Sequence, residues 1–231
     1  MTTGRVCCIR VGCLPAAVSA STRSGSELSS SIAAFTAGRS RPASPGGAAG
    51  LPEAFRLSVK APRGLTHAKR LYTPEAWVER MASGWDELGD RRAVLLVQLA
   101  PDHIRDDARL EYFLALVPSW MRVTVEFRHP SWHEEDVFAL LERHGVAYCV
   151  MSGAHLPCVL RATAPFAYAR MHGPDHQHLY AGSYSDEDLI WWADRVREWA
   201  ATGKDVFVYF NNDGYGHAVR NAETLRRLMS A

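Results

Sequence analysis

From residue 55 onward the chain alternates short strand-like runs with stretches of helical periodicity, and this alternation leaves few folds open. Phe55–Lys60, Ala93–Gln98, 121–128, Val146–Met151, Phe166–His172 and Asp205–Asn211 read as six strands. A helical stripe follows each of them except Val146–Met151. Trp77, Met81, Trp85 and Leu88 form one stripe, and Leu110, Phe113, Leu114 and Val117 another. Leu189, Trp192, Val196 and Trp199 repeat the spacing, and Ala218, Ala222 and Leu225 open the closing helix. Apolar residues three and four apart belong to one face of a helix. Ala93-Val-Leu-Leu-Val is apolar without interruption, as expected of a strand covered on both faces. Strands alternating with helices imply a parallel sheet with right-handed crossovers.

Local punctuation agrees with this reading. Pro130 cannot extend a ladder and biases His129 to an extended backbone, so the strand at 121–128 ends there. Ser131 with Glu134 fits a capping box for the next helix, which carries Val137, Leu140, Leu141 and His144. Thr73-Pro74 is expected to cap the Trp77 helix, and Ser185 with Asp188 the Trp192 helix. Six units after residue 54, with Val6–Gly12 as an opening strand, make seven. That is one short of a (β/α)8 barrel. A doubly wound open sheet competes, but it would usually carry a glycine-rich phosphate turn, and no such motif occurs.

Residues 14–50 differ in kind. They consist almost entirely of Ser, Ala, Gly, Pro, Arg and Thr, with no sustained apolar period. Such a segment buries too little surface to offset its chain entropy. The expected organisation is a first strand at 1–12, an aberrant or disordered segment at 13–54, and one domain at 55–231.

Bulk properties narrow the function classes. A formal net charge of +1 gives no support to nucleic-acid or membrane-surface binding. The five cysteines Cys7, Cys8, Cys13, Cys149 and Cys158 include no C-x-x-C pair, which suits a reduced, cytoplasmic protein. No motif specifies a cofactor. A small-molecule ligand is the expected partner.

The informative regularity is where polar residues fall. Lys60, Gln98, Glu126 with Arg128, Arg170 with His172, and Asn211 with Asn212 lie at the carboxyl ends of different strands. Thr124, Glu126 and Arg128 share one strand face, and Tyr168, Arg170 and His172 share another. In a barrel those ends converge on one mouth. Each residue also has a plainer reading. Glu126 with Arg128 could be an interior ion pair and Lys60 its counter-charge, while His172 could be a turn histidine before Gly173-Pro174. Asn211-Asn212-Asp213-Gly214 is also a good turn sequence. Five strand ends sharing the habit argue for a ligand site, because unpaired buried charge is costly.

These residues resemble the YecE-like family, domain of unknown function seventy-two. The resemblance is carried by Ser58-Val-Lys-Ala-Pro-Arg-Gly-Leu-Thr-His67, Gln98 and Val125-Glu-Phe-Arg-His-Pro-Ser-Trp132. Arg170-Met-His-Gly173, Tyr184-Ser185 and Val208-Tyr-Phe-Asn-Asn-Asp213 complete it. It covers about Phe55 to the C-terminus and implies a TIM-barrel-like fold with one polar pocket, but no assigned reaction. The expectation is therefore an α/β, TIM-barrel-like (β/α)8 chain with one unit missing or scrambled at the N-terminus.

On this reading Lys60, Arg128 and Arg170 hold a small anionic or polyhydroxylated ligand, with Glu126 and His172 as candidate acid and base for hydrolase- or lyase-type chemistry. Gln98, Tyr209 and Asn211 would orient the ligand, Tyr180, Tyr184 and Trp132 would wall the mouth, and Asn212 and His67 complete the polar set. Non-catalytic binding is the alternative. A metal site would need Glu126, His172 and His67 to converge, which no fixed-spacing motif supports.

Family members look like an opening strand followed by a second strand bearing Glu-x-Asn-x-x-Phe-Tyr. Ile9-Arg-Val-Gly12 matches the opening, and no such second motif occurs in the chain. A natural linker and a frame-shifted stretch are the two readings of residues 13–54, and the spacing, close to that of the missing segment, favours the frame shift. Sequencing the gene and translating that stretch in its other two frames should reveal the motif; its absence from both would reject the frame shift.

Overall fold

The computed structural model of the chain describes residues 56–212 and 214–230, together with the backbone of three earlier strands. Those are β1 (Cys13–Ala20), β2 (Ser30–Ser31) and β3 (Ala34–Phe35). The expected strand at Val6–Gly12 lies outside the described residues, as does most of 13–54. The strands that follow are β4 (Leu57–Lys60), β5 (Arg92–Gln98), β6 (Val123–Glu126), β7 (Ala147–Ser152), β8 (Phe166–Met171) and β9 (Asp205–Asn212). The helices are α1 (Glu75–Asp86), α2 (Asp107–Leu116), α3 (Glu135–Arg143), α4 (Asp186–Ala201) and α5 (His217–Ser230). As expected, no helix separates β7 from β8.

Strands β4 to β9 pair in sequence order, and every neighbouring pair among them is parallel. The sheet curls, because the Ser58 hydroxyl on β4 lies 2.5 Å from the Tyr209 hydroxyl on β9. The first and last strands of the parallel set therefore meet across the interior. At the flanks, β3 runs parallel to β4 and β1 runs antiparallel to β9. Six parallel strands are thus established, but eight βα units are not. An antiparallel β1 is not the first strand of a regular (β/α)8 barrel.

Period-two alternation sorts the side chains into two layers. Val94, Leu96, Cys149, Met151, Phe166, Tyr168 and Phe207 fill the concave side. Leu95, Val97, Val123, Val125, Val150, Val208 and Phe210 face the helices, which contribute Leu110, Phe113, Leu141, Trp192 and Leu225. The expected stripes of α2, α4 and α5 pack into this outer layer, with Val117 and Trp199 only partly buried at its edge. On α1 the buried residues are Val78 and Trp85, with Trp77, Met81 and Leu88 packed at the edge. Among the described residues no helix is long and apolar enough to cross a membrane.

Two expected caps do not form. Thr73 has a positive φ of 44°, and Pro74 stands at the start of α1 with no side-chain cap bond. Residues Pro130–Trp132 form a tight 3-10 turn, so α3 begins later and Glu134 precedes it without a side-chain cap bond. The Ser131 hydroxyl instead accepts the Arg105 amide at 2.9 Å and lies 2.8 Å from His129 Nδ1. Tertiary contacts have claimed the group that the local pattern assigned to a helix end. The Ser185–Asp188 box does form, with reciprocal bonds of 3.1 and 3.2 Å. Ser185→Ala should therefore lower the unfolding free energy by about 1 kcal/mol in urea titration, whereas Glu134→Ala should stay within about 0.5 kcal/mol of the parent.

Candidate functional site

Strand β6 is buried along its whole length. Its alternation turns Val123 and Val125 to the helices and Thr124 and Glu126 to the interior. His129 is extended (φ −87°, ψ 136°) before Pro130, so the ladder stops just after Glu126. The Glu126 carboxylate is fully buried at that strand end. One oxygen, Oε1, accepts from Arg128 Nε, two residues along the same chain segment. The other, Oε2, accepts from Arg170 Nη1 on β8 at 2.6 Å.

The neighbouring strand ends complete a network. Register pairs Gln98 with Glu126 across β5 and β6. Gln98 Oε1 accepts from Lys60 Nζ at 2.7 Å and lies 3.3 Å from Arg170 Nη1. His172 follows β8 and is fully buried. Its Nε2 lies 3.3 Å from Arg128 Nη2 and 3.7 Å from Glu126 Oε1, and its Nδ1 lies 3.4 Å from Asn211 Nδ2. The exposed Tyr180 ring meets the His172 ring edge-on at 5.5 Å. Cys149 Sγ lies 3.7 Å from Glu126 Oε2.

The electrostatics follow from these contacts. Burial alone would push the Glu126 carboxyl up, but the Arg170 and Arg128 guanidiniums override it and hold the group well below the usual carboxylate range. Burial and the nearby Arg170 keep His172 well below the ordinary imidazole range, so the ring is neutral. Burial and Arg170 also lower the Lys60 ammonium to about 8, against the pull of Glu126. Burial raises Tyr209, whose ring stacks on Tyr168 at 5.0 Å, to about 12. Three cationic side chains thus surround one carboxylate.

Lys60, Gln98, Glu126, Arg128, Arg170, His172 and Asn211 come together as the sequence pattern suggests. Tyr209 lies deeper, its hydroxyl occupied by Ser58. The other expected members sit elsewhere. Trp132 is buried on the helix side, stacked on Phe127 at 4.8 Å and donating to the His103 carbonyl at 2.6 Å. It does not wall the mouth, because the turn after Pro130 carries it to the outer face. Tyr184 is buried against Phe210, with its hydroxyl donating to Ser152 Oγ at 3.0 Å. Asn212 is one residue out of phase with Asn211 and donates to Asn221 Oδ1 at 2.7 Å and the Gly182 carbonyl at 3.2 Å. His67 sits on the half-buried turn after β4, with Nδ1 2.9 Å from the Thr66 hydroxyl. Among the described residues no group of three His, Cys, Asp or Glu is placed to hold a metal ion. Ser58 and Cys149 also join the interior set, and the strand-end pattern does not single them out. Ser58 is two residues before Lys60 on the same face, and that spacing was the available signal.

The model of the family described as "Protein of unknown function DUF72" matches residues 47–231. The UPF0759 protein YunF of Bacillus subtilis (strain 168) is 25% identical over 209 residues, covering 77% of this chain and 74% of YunF. The crystal structure of a DUF72 family protein from Thermotoga maritima MSB8 superposes with a TM-score of 0.72 at 27% identity, over 78% of this chain and 75% of that one. A DUF72 family protein from Enterococcus faecalis V583 gives a TM-score of 0.71 at 17% identity, over 81% and 78% of the two chains, and shares the fold.

The ion network makes a pH prediction. His172 is held neutral and Glu126 ionised, so each favours the folded state above its unfolded-state value, about 6.5 and about 4.3, and that advantage fades as acid titrates the unfolded chain first. Stability measured by urea titration should therefore fall below about pH 6.5 and fall again below about pH 4.3. Glu126→Gln should shrink the second decline, to which Glu75, Asp136 and Asp175 also contribute, and destabilise the neutral-pH protein by about 3–5 kcal/mol, since it strips two buried guanidiniums of their anion.

Proposed function

The chain belongs to the DUF72 family, and from that premise and its own geometry we propose that the strand-end cluster binds a small molecule bearing an oxyanion, such as a phosphate or carboxylate. The observation that carries this reading is the unbalanced charge of the cluster. Lys60, Arg128 and Arg170 face one carboxylate, and His172 adds no negative charge. A guanidinium has five N–H donors, and the contacts described occupy only some of those on Arg128 and Arg170. Glu126 fixes both guanidiniums before any ligand arrives, which lowers the entropic cost of binding. Gln98, Asn211 and Tyr180 supply neutral polar contacts suited to a hydroxylated ligand body.

This assignment takes the six parallel units as the larger part of a (β/α)8 barrel with one N-terminal unit missing or scrambled, in a cytoplasmic protein. Such folds carry their ligands at the carboxyl ends of the strands. The same geometry weighs against Glu126 as the acid or base of a hydrolase. Both of its oxygens are occupied by arginines, and it stays ionised far into acid. His172 is wholly buried behind Arg128. We therefore assign Glu126 and His172 as positioning residues and Lys60, Arg128 and Arg170 as ligand contacts.

Inorganic phosphate titrated calorimetrically into the full chain should bind saturably. Lys60→Met should weaken that binding by roughly tenfold, about 1.4 kcal/mol, and the exposed Lys69→Met should leave it unchanged. No heat of binding at millimolar phosphate, or equal affinity in the Lys60→Met variant, would overturn the assignment.

A further inference from the structure

We infer that Lys60 is a nucleophilic lysine, placed to form an imine with a small aldehyde or ketone whose anionic group is held by Arg128 and Arg170. The inference rests on the oxyanion-binding reading and adds the reactive group and the substrate class. Its first support is position. Lys60 ends β4, half-buried in the mouth, whereas Lys69 is exposed and Lys204 precedes β9 at the opposite end of the sheet. Its second support is the partner. Among the described residues no carboxylate forms an ion pair with Lys60, and its one side-chain hydrogen bond goes to the neutral carboxamide of Gln98 at 2.7 Å. A neutral acceptor orients the nitrogen without holding it as an ammonium.

The third support is the anchored cation on the far side of Gln98. Gln98 Oε1 is shared by Lys60 Nζ and Arg170 Nη1, which sets the amine and the guanidinium on two sides of one oxygen. An anionic group on the guanidinium would bring a carbonyl of the same small molecule toward Nζ. The surroundings that favour this anion also disfavour a protonated amine, and the ammonium is lowered to about 8.

The chemistry needs no redox partner. The neutral Nζ lone pair attacks the carbonyl carbon and forms the C–N bond. The π electrons move to oxygen, which takes up a proton while nitrogen loses one, giving a carbinolamine. Loss of the hydroxyl with a second nitrogen proton, as water, leaves the C=N bond. The protonated imine is an electron sink for cleavage of a bond at the adjacent carbon, which is lyase-type chemistry.

The test uses pyridoxal 5′-phosphate, which carries an aldehyde and a phosphate, with sodium cyanoborohydride as trapping reductant. The chain contains three lysines, so peptide mass spectrometry resolves every side-chain product. We expect Lys60 to be modified roughly tenfold or more faster than Lys69 and Lys204, with the rate rising as pH passes through about 8. Inorganic phosphate should suppress the reaction, and pyridoxal without phosphate should react more slowly. Lys60→Arg should abolish the fast site while retaining calorimetric phosphate binding. If phosphate binds but Lys60 reacts no faster than Lys69, the imine inference is overturned and the oxyanion reading survives. If Lys60 is trapped selectively while phosphate neither binds nor protects, the oxyanion reading fails, and with it the substrate class inferred here.

Discussion

A fully buried carboxylate cannot be left unpaired in a protein interior, and the organisation of this fold around Glu126 follows from that constraint. Taking one ion out of water costs several kcal/mol, so the partners must be held in good geometry if the chain is to fold at all. Arg128 supplies one partner from the same segment, which ties the end of β6 to its own loop. Arg170 supplies the other from two strands away and ties β6 to β8. Gln98 and Lys60 extend the links to β5 and β4, and Asn211 reaches His172 from β9. With Cys149 Sγ on β7 lying 3.7 Å from Glu126 Oε2, the described polar contacts thus join all six parallel strands at one end. The helix-facing layer is conventional apolar packing.

On the proposed oxyanion-binding reading, the same arrangement ties stability to ligand recognition. Glu126 neutralises only part of the charge it gathers. In the proposed function that surplus is what a ligand oxyanion meets. A surface cluster of the same composition would be screened by solvent and mobile. This one is shielded by the strands around it, and burial has already shifted the Lys60 ammonium down. Shared fold with other DUF72 proteins does not by itself transmit an activity, since function resides in the particular side chains at the site.

Much of this was legible in the sequence because strands enforce a period of two. That rule alone puts Thr124, Glu126 and Arg128 on one face and Tyr168, Arg170 and His172 on another, and the structure keeps both sets together. Legibility ends where the strand ends. Trp132 lies beyond Pro130, where a tight turn sends its indole to the helix side. Asn212 follows Asn211 immediately, so the pleat points it the other way, toward Asn221. Ser131 and Glu134 match a capping pattern, yet the hydroxyl is taken by the Arg105 amide, a contact 26 residues distant that no local pattern encodes. At the N-terminal side, an antiparallel β1 stands where a regular barrel would place a parallel strand.

The central claim is that Glu126 and Arg170 are energetically coupled across β6 and β8, and a double-mutant cycle measures that coupling directly. Glu126→Gln, Arg170→Met and the double variant would be compared with the parent by urea denaturation at pH 7. Glu126→Gln strips Arg170 of its anion, and Arg170→Met takes one of two guanidiniums from Glu126. The loss at Arg128 is common to Glu126→Gln and the double variant and cancels, so the account predicts a coupling of about 2 kcal/mol or more. Additive effects, with a coupling indistinguishable from zero, would show that the two side chains do not meet and would contradict the convergence on which the site depends.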